Sequence, residues 1–333
     1  KGFLVEMFWN FVQETSDLWF AGTLPANSGR EELGGIMNGI LCMNKPQDFT
    51  SFDVIGKLRG ILHMKRLGHT GTLDPMATGV LPILVGTATK ACDILPNQDK
   101  TYQATVVFGK ATDTLDIWGK PLQDYPEQHV TEAALRAILP EFLGDITQLP
   151  PMYSAVSVNG KRLYELARKG ETVERPTRTV HIDAITLDAF DETQQTATLT
   201  VSCGKGTYIR TLLSDIGQRL GGDAVMTALT RTAACGYPLQ DCLTFEQVAA
   251  AMADGTLEEH LLPTDSLFSS YPKLRLNAAQ ERMFCNGVKL DLNRLRNLQP
   301  DQDIYTVYGA TGTFLGTALA DRTQQELRIG KRF

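Results

Sequence analysis

Residues 68–82 limit the fold more than any other stretch. They read GHTGTLDPMATGVLP and hold three glycines, two prolines and three threonines. Glycine loosens the backbone, while proline fixes φ and lacks an N–H, so no helix or central strand can run through the whole segment. The chain must turn here. Residues 68–79 are expected to be loop, and the apolar LPILVG that follows is expected to be a short buried strand. The loop presents a single acid, Asp74, with no other carboxylate between Asp53 and Asp93.

The flanking segments alternate between helix and strand patterns. Thr50 or Ser51 can cap a helix through Leu62 that sets Val54, Leu58 and Leu62 on one face. TYQATVVFG reads as a strand ending at Gly109, and TEAALRAILPEFLG as a helix with a Thr131 cap, a Gly144 stop and an interrupting Pro140. RTVHIDAITLDAF and TATLTVSCG form a strand pair, followed by a helix over 207–220. Residues 150–178 are basic and turn-rich, with a short helix around 163–168, and LTFEQVAAAMADG is a helix capped near Thr244. Beyond Pro263 the pattern turns to short strands.

The expected class is α/β (α+β), with the main domain at 37–263 and a small β-rich domain at 264–333. Residues 1–36 are expected to be an N-terminal extension without a part in function. Their Phe3, Leu4, Met7, Phe8, Phe11 and Val12 fall at helical spacing, but Glu6 and the lack of a basic cluster argue against a signal peptide. The strand-like MNGILCMNKP makes Met37 the expected natural start.

Charge excludes a general polyanion binder. The net charge is −6 over 333 residues, yet basic residues cluster. Lys57, Arg59, Lys65 and Arg66 share a stretch without acids, Lys161, Arg162, Arg168, Lys169, Arg175 and Arg178 fall together, and the chain ends RIGKRF. Local basic patches on an acidic chain suit a shaped nucleic-acid groove as well as solvated helix faces. No apolar run approaches the roughly 18 residues of a membrane span. The six cysteines include no C-x-x-C pair, which points to reduced thiols, a cytoplasmic location and no zinc site.

Several chemistries can be set aside at Asp74. One carboxylate with His69 nearby is too small a donor set for magnesium or calcium, so no metal is expected. Paired-carboxylate catalysis lacks a local second acid. HTGTL looks like part of the aspartyl-phosphate ATPase loop, but Gly68 stands where the phosphorylated acid would be. A phosphate-cradling loop would need a G-K-[ST] ending. Two readings stay open on these residues alone: a lone carboxylate acting as nucleophile or base, or an Asp-Pro turn whose side chain caps backbone.

Further motifs change that balance. GHTGTLDPMATGVLPILVG resembles the motif of the TruB-type tRNA pseudouridine synthases, and NKPQDFTSFDV, KTYQATVVFG, PPMYSAVSVNGKRLYELARKG and SCGKGTYIRTL follow in that family's order. The resemblance covers about residues 37–333 and implies isomerisation of one T-loop uridine of tRNA, position 55, to pseudouridine without a cofactor. It implies a pseudouridine synthase fold with a curved, mainly antiparallel sheet, a basic insert at about 148–178 that closes over the T stem-loop, and a PUA-like C-terminal domain. It also implies a monomer without an obligate protein partner.

The same resemblance assigns roles. Asp74 matches the catalytic aspartate, Tyr102 the aromatic that stacks on the extruded uracil, Arg210 the arginine paired with the aspartate, and Tyr208 and Leu229 pocket walls. His69 matches a histidine that helps hold the T loop open, while Lys45 and Pro46 buttress the pocket. Lys161, Arg162, Arg168 and Lys169 would contact RNA from the insert. Ser157 stands where the family usually has lysine, which implies weaker RNA contacts that Lys161 and Arg162 would offset. Physical chemistry agrees with these roles. A base must leave its stack before its C5 can be reworked, an aromatic offsets that cost by stacking, and an arginine fixes a carboxylate through a two-pronged hydrogen bond. Two rivals are a related synthase inside a guide-RNA complex and a non-catalytic RNA-binding or tRNA-folding protein on the same scaffold.

Overall fold

The computed structural model describes residues 37–154, 156–158 and 160–333; the expectations for residues 1–36 lie outside them. The first part of the chain runs β1 (Gly39–Lys45), α1 (Ser51–Leu62), β2 (Leu67–His69), β3 (Thr78–Val85), β4 (Lys100–Phe108), β5 (Lys110–Thr112), β6 (Pro121–Asp124), α2 (Glu132–Ile138) and β7 (Gly144–Gln148). Then come β8 (Ser157–Val158), β9 (Lys161–Arg162), α3 (Leu163–Arg168), β10 (Arg178–Asp191), β11 (Thr196–Cys203), α4 (Ile209–Arg219), β12 (Ala224–Ala234), β13 (Tyr237–Pro238) and α5 (Phe245–Asp254). The last part holds β14 (Lys273–Arg275), α6 (Ala278–Cys285), β15 (Leu290–Asp291), β16 (Ile304–Tyr308), β17 (Phe314–Asp321) and β18 (Glu326–Arg332).

A nine-stranded sheet has the order β1-β3-β12-β4-β11-β10-β7, with β2 beside β3 and β13 beside β12. Every pairing is antiparallel except β3 with β12. Register shifts along β10 and β12 bend the strands, as bulges do. The fold class is thus mixed α/β, with a curved and mainly antiparallel main sheet. The C-terminal strands form a second, five-stranded sheet, β14-β16-β17-β18-β15.

Local sequence explains the helices that flank the main sheet. Thr50 accepts from the Asp53 N–H while Asp53 accepts from the Thr50 N–H, a reciprocal cap, and Val54, Leu58 and Leu62 are buried as spaced. They pack with α5 against β1 and β3. On the other side, Ile209, Leu212, Leu213 and Ile216 of α4 seal a core against β4, β11 and β12. Helix α2 is shorter than its pattern. It ends at Ile138 and tightens into a 3₁₀ turn over Leu139–Phe142, because Pro140 has no N–H to continue the ladder. The 68–79 segment is not all loop: Leu67–His69 pairs with β3.

The parallel junction of β3 and β12 is anchored at Gly79 opposite Arg231. Gly79 has φ +100°, and a Cβ there would lie 2.2 Å from the Arg231 carbonyl oxygen. Only glycine permits both that conformation and that approach. Phe268, Phe314 and Phe333 form an aromatic cluster with Ile40, Cys42 and Leu84 of the main sheet, which fastens the C-terminal sheet to it. Among the described residues, no helix is long and apolar enough to cross a membrane.

Candidate active site

The loop between β2 and β3 is held from behind by two buried cations. Lys45, fully buried, donates to the carbonyls of Pro46, Phe49 and Pro75 at 2.8, 2.7 and 3.3 Å. Burial lowers its pKa to about 8, against the opposing pull of Asp74. Arg231, also fully buried, donates from Nε to the Val80 carbonyl at 2.7 Å and from Nη2 to the Gly71 carbonyl at 3.0 Å. Ser51 completes the frame: its hydroxyl accepts from the Leu73 N–H at 2.9 Å. Asp74 sits at the end of this braced loop, with its side chain 37% exposed.

Arg210 comes from the first turn of α4. Its Nε lies 2.9 Å from Asp74 Oδ2, Nη1 donates to the Thr114 carbonyl at 2.8 Å, and Nη2 donates to the Tyr153 carbonyl at 2.9 Å. The guanidinium meets Asp74 side-on through one nitrogen, which corrects the two-pronged pairing expected from sequence. Each Nη atom also donates one N–H to a backbone carbonyl. A second acid stands beside it: Asp116 Oδ2 is 3.7 Å from Nη1, with only 10% of its side chain exposed. Asp116 Oδ1 accepts from the Thr114 hydroxyl at 2.7 Å and from the Trp118 N–H at 3.1 Å. One buried cation is therefore shared by two carboxylates.

The start of α4 has no side-chain cap of its own. Gln148, fully buried on β7, instead clamps the residue before the first turn, accepting from the Tyr208 N–H at 3.0 Å and donating to its carbonyl at 3.2 Å. This clamp sets Tyr208, over whose ring Arg178 lies at 5.6 Å.

The structure brings five of the sequence-derived site residues round one cleft of about 320 Å³: Asp74, Tyr102, Tyr208, Arg210 and Leu229. Tyr102 projects from β4 in register with Arg231, and Leu229 follows on β12. Burial pushes the Tyr102 phenol up, against Arg231, so the ring meets the cleft as a neutral aromatic. Lys100 and Ser154 share the lining; burial pushes the Lys100 ammonium down.

His69 does not line this cleft. It faces an adjoining groove of about 730 Å³ that shares Asp74 and Arg210. Burial first, then Arg231, lowers its pKa, and Nδ1 has no hydrogen-bond partner. Arg162 and Arg168 reach the same groove, whereas Lys161 lines a separate cavity of about 600 Å³ with Arg175 and Lys169 is exposed. Ser157 pairs in register with Arg162, so a cation stands beside the site of the missing lysine. Pro46 contributes through its carbonyl alone.

Asp116, Arg231 and Gln148 were not singled out from sequence. Arg231 lies only two residues after Leu229, but nothing local marks an arginine that will be buried. Among the described residues there is no group of three or more His, Cys, Asp or Glu that could hold a metal ion.

Comparison with known proteins fits this geometry. A family model described as TruB family pseudouridylate synthase (N-terminal domain) matches residues 59–209, and one described as tRNA pseudouridylate synthase B C-terminal domain matches residues 210–269. A protein named tRNA pseudouridine synthase B from Lactobacillus delbrueckii subsp. bulgaricus is 43% identical over 286 residues, 83% of this chain and 95% of the relative. The protein of that name from Staphylococcus haemolyticus is 46% identical over 274 residues, covering 80% and 90%. Among solved structures, a Cbf5-Nop10-Gar1 complex contains a chain with a TM-score of 0.68 at 21% identity, covering 88% of this chain and 84% of that one. A Cbf5 chain in an archaeal box H/ACA sRNP Nop10-Cbf5 complex gives 0.66 at 21% identity, covering 89% and 86%; at that identity the likeness concerns the fold. The chain belongs to the TruB family and is a pseudouridine synthase, an isomerase.

Proposed function

We infer that this enzyme converts the T-loop uridine of tRNA, position 55, to pseudouridine, with Asp74 as the reacting carboxylate. The observation that carries the reading is the Asp74–Arg210 pair at 2.9 Å on the rim of a cleft lined by Tyr102. The tRNA substrate rests on the name shared by the most similar relatives.

The reaction breaks the C1′–N1 bond, forms a C1′–C5 bond and moves the C5 hydrogen to solvent while N1 gains one. Atoms balance without redox change, so no cofactor is needed. The chain's residues divide the work. Tyr102 and Leu229 take the extruded base between an aromatic and an apolar face, which offsets a few kcal/mol of unstacking. Arg210 fixes the direction of Asp74, and the partners of Arg210 are themselves fixed. The carboxylate is then aimed at one place, whether it adds at C1′, adds at C6 or takes a ribose proton. Residues 37–263 carry this chemistry. The insert at 148–178, with Arg162 and Arg168, and the C-terminal sheet support RNA binding. The enzyme acts as a cytoplasmic monomer in this reading.

The test is pseudouridine formation in an unmodified tRNA transcript, mapped to the nucleotide, with wild type beside Asp74→Asn. Product at the T-loop uridine with wild type only supports the reading. Product elsewhere refutes the site, and an active Asp74→Asn refutes the role of the carboxylate. Binding and refolding of tRNA by wild type without any product would favour the non-catalytic alternative.

A further inference from the structure

The groove beside the reaction cleft carries two side chains that its chemistry does not explain. Phe52 is 70% exposed and Trp118 is 52% exposed, and both line the 730 Å³ groove that reaches Asp74 and Arg210. Large aromatics so open to water are worth explaining when they stand together beside a functional cleft.

Both rings stand on anchored backbone. Phe52 follows Ser51, whose hydroxyl is bonded to Leu73, the neighbour of Asp74. Trp118 donates its backbone N–H to Asp116, the carboxylate that faces Arg210. Both aromatics are thereby carried on backbone tied to Asp74's loop or to Asp116. The rest of the groove's wall is mixed: Asp74, Asp116 and Met76 share it with Arg162, Tyr164 and Arg168, and the Arg168 guanidinium lies 5.5 Å from the Tyr164 ring. Arg59 adds a further cation 6.0 Å from the Phe52 ring. Exposed rings edged by arginines are the combination that holds unpaired nucleotides, with the rings taking base faces and the cations taking phosphates.

We propose that Phe52 and Trp118 form a stacking platform for nucleotides neighbouring the target uridine, with Arg162 and Arg168 holding the phosphates between them. The occupant is the RNA strand itself, chosen by charge complementarity: an apolar protein segment would gain nothing from the arginines. The inference rests on the RNA substrate proposed above and adds a second recognition surface to it. Extruding one base leaves its neighbours partly unstacked, and a platform offsets that loss outside the chemical cleft.

The experiment measures binding of a fluorescein-labelled tRNA transcript and, separately, steady-state pseudouridine formation, for wild type, Phe52→Ala, Trp118→Ala and Trp118→Phe. Stacking on one ring predicts that each alanine variant raises Kd and KM by about 5- to 150-fold, with kcat changing far less and Trp118→Phe restoring most of the affinity. Both positions are exposed, so folding is not at stake. Unchanged Kd in both alanine variants overturns the platform. So does a loss confined to kcat, or one that Trp118→Phe fails to rescue. If wild type binds the transcript and makes no pseudouridine, the functional reading fails, while the Kd series still decides the platform.

Discussion

Replacing Asp116 by Asn separates two roles that the active site combines. The amide oxygen can still accept from the Thr114 hydroxyl and the Trp118 N–H, so the turn after β5 keeps its shape. What disappears is a negative charge 3.7 Å from Arg210 Nη1. At an effective dielectric near 20, that attraction is about 4.5 kcal/mol. The figure is an upper bound, because Nη1 also bonds the Thr114 carbonyl. At 3.7 Å the contact is an ion pair too long for a hydrogen bond, so its net worth lies at the low end of measured couplings between close charges, about 1.5–3 kcal/mol, or roughly 10- to 150-fold in rate. With Asp116 neutralised, the guanidinium leans fully on Asp74 and restrains the carboxylate proposed to react. The expected result is a kcat lower by that factor, a nearly unchanged KM and a Tm lowered by several degrees, with the protein still folded at the assay temperature. Single-turnover pseudouridine formation at saturating enzyme, beside a melting curve, measures both. Wild-type kcat in Asp116→Asn would refute the shared-cation argument. So would a loss of activity that merely follows a loss of folded protein.

Two stability predictions follow from the scaffold. Gly79→Ala forces a Cβ to within 2.2 Å of the Arg231 carbonyl oxygen at φ +100°, and should cost at least about 3 kcal/mol, read as a lowered denaturation midpoint; an unchanged midpoint would show that β3 and β12 can separate cheaply. Asp215 has its pKa raised to about 6, first by burial and then by Asp223. The folded state therefore binds this proton more tightly than the unfolded one. The resulting penalty sets in as pH rises from about 4 to 6 and is complete above 6. Asp215→Asn should then be more stable than wild type by about 1 kcal/mol at pH 7, after allowing for partial exposure, with no gain at pH 4. A gain independent of pH would sink the explanation.

What the sequence disclosed follows the range of the interactions. Helix α1 was legible in its span and its buried face, and its cap narrowed to Thr50 or Ser51, because Val54, Leu58 and Leu62 act within a few turns of one another. The proline in the segment after Thr131 was visible too, though not that it would convert the last turn to 3₁₀. Asp74 stood out as the only acid of its neighbourhood. Arg210 and Tyr102 were reached through family resemblance, since nothing local shows that α4 and β4 will close on that loop. Asp116 escaped notice because its partner is a guanidinium far along the chain. Arg231 escaped because a buried arginine and an exposed one look alike in a strand. The side-on approach of Arg210 depends on the Thr114 and Tyr153 carbonyls, which no side-chain pattern encodes.

The bracing of the Asp74 loop by Arg231 has a kinetic consequence. Its donors to Gly71 and Val80 lie within the protein, as do those of Lys45 to the turn after β1. The carboxylate is thus in place before any RNA arrives, and binding has no loop to order around it. A lag in a single-turnover time course would then report the swing of the nucleotide out of its stack. It would lengthen as the RNA stem is made more stable and ignore changes to the loop that carries Asp74. The slow moving part belongs to the substrate.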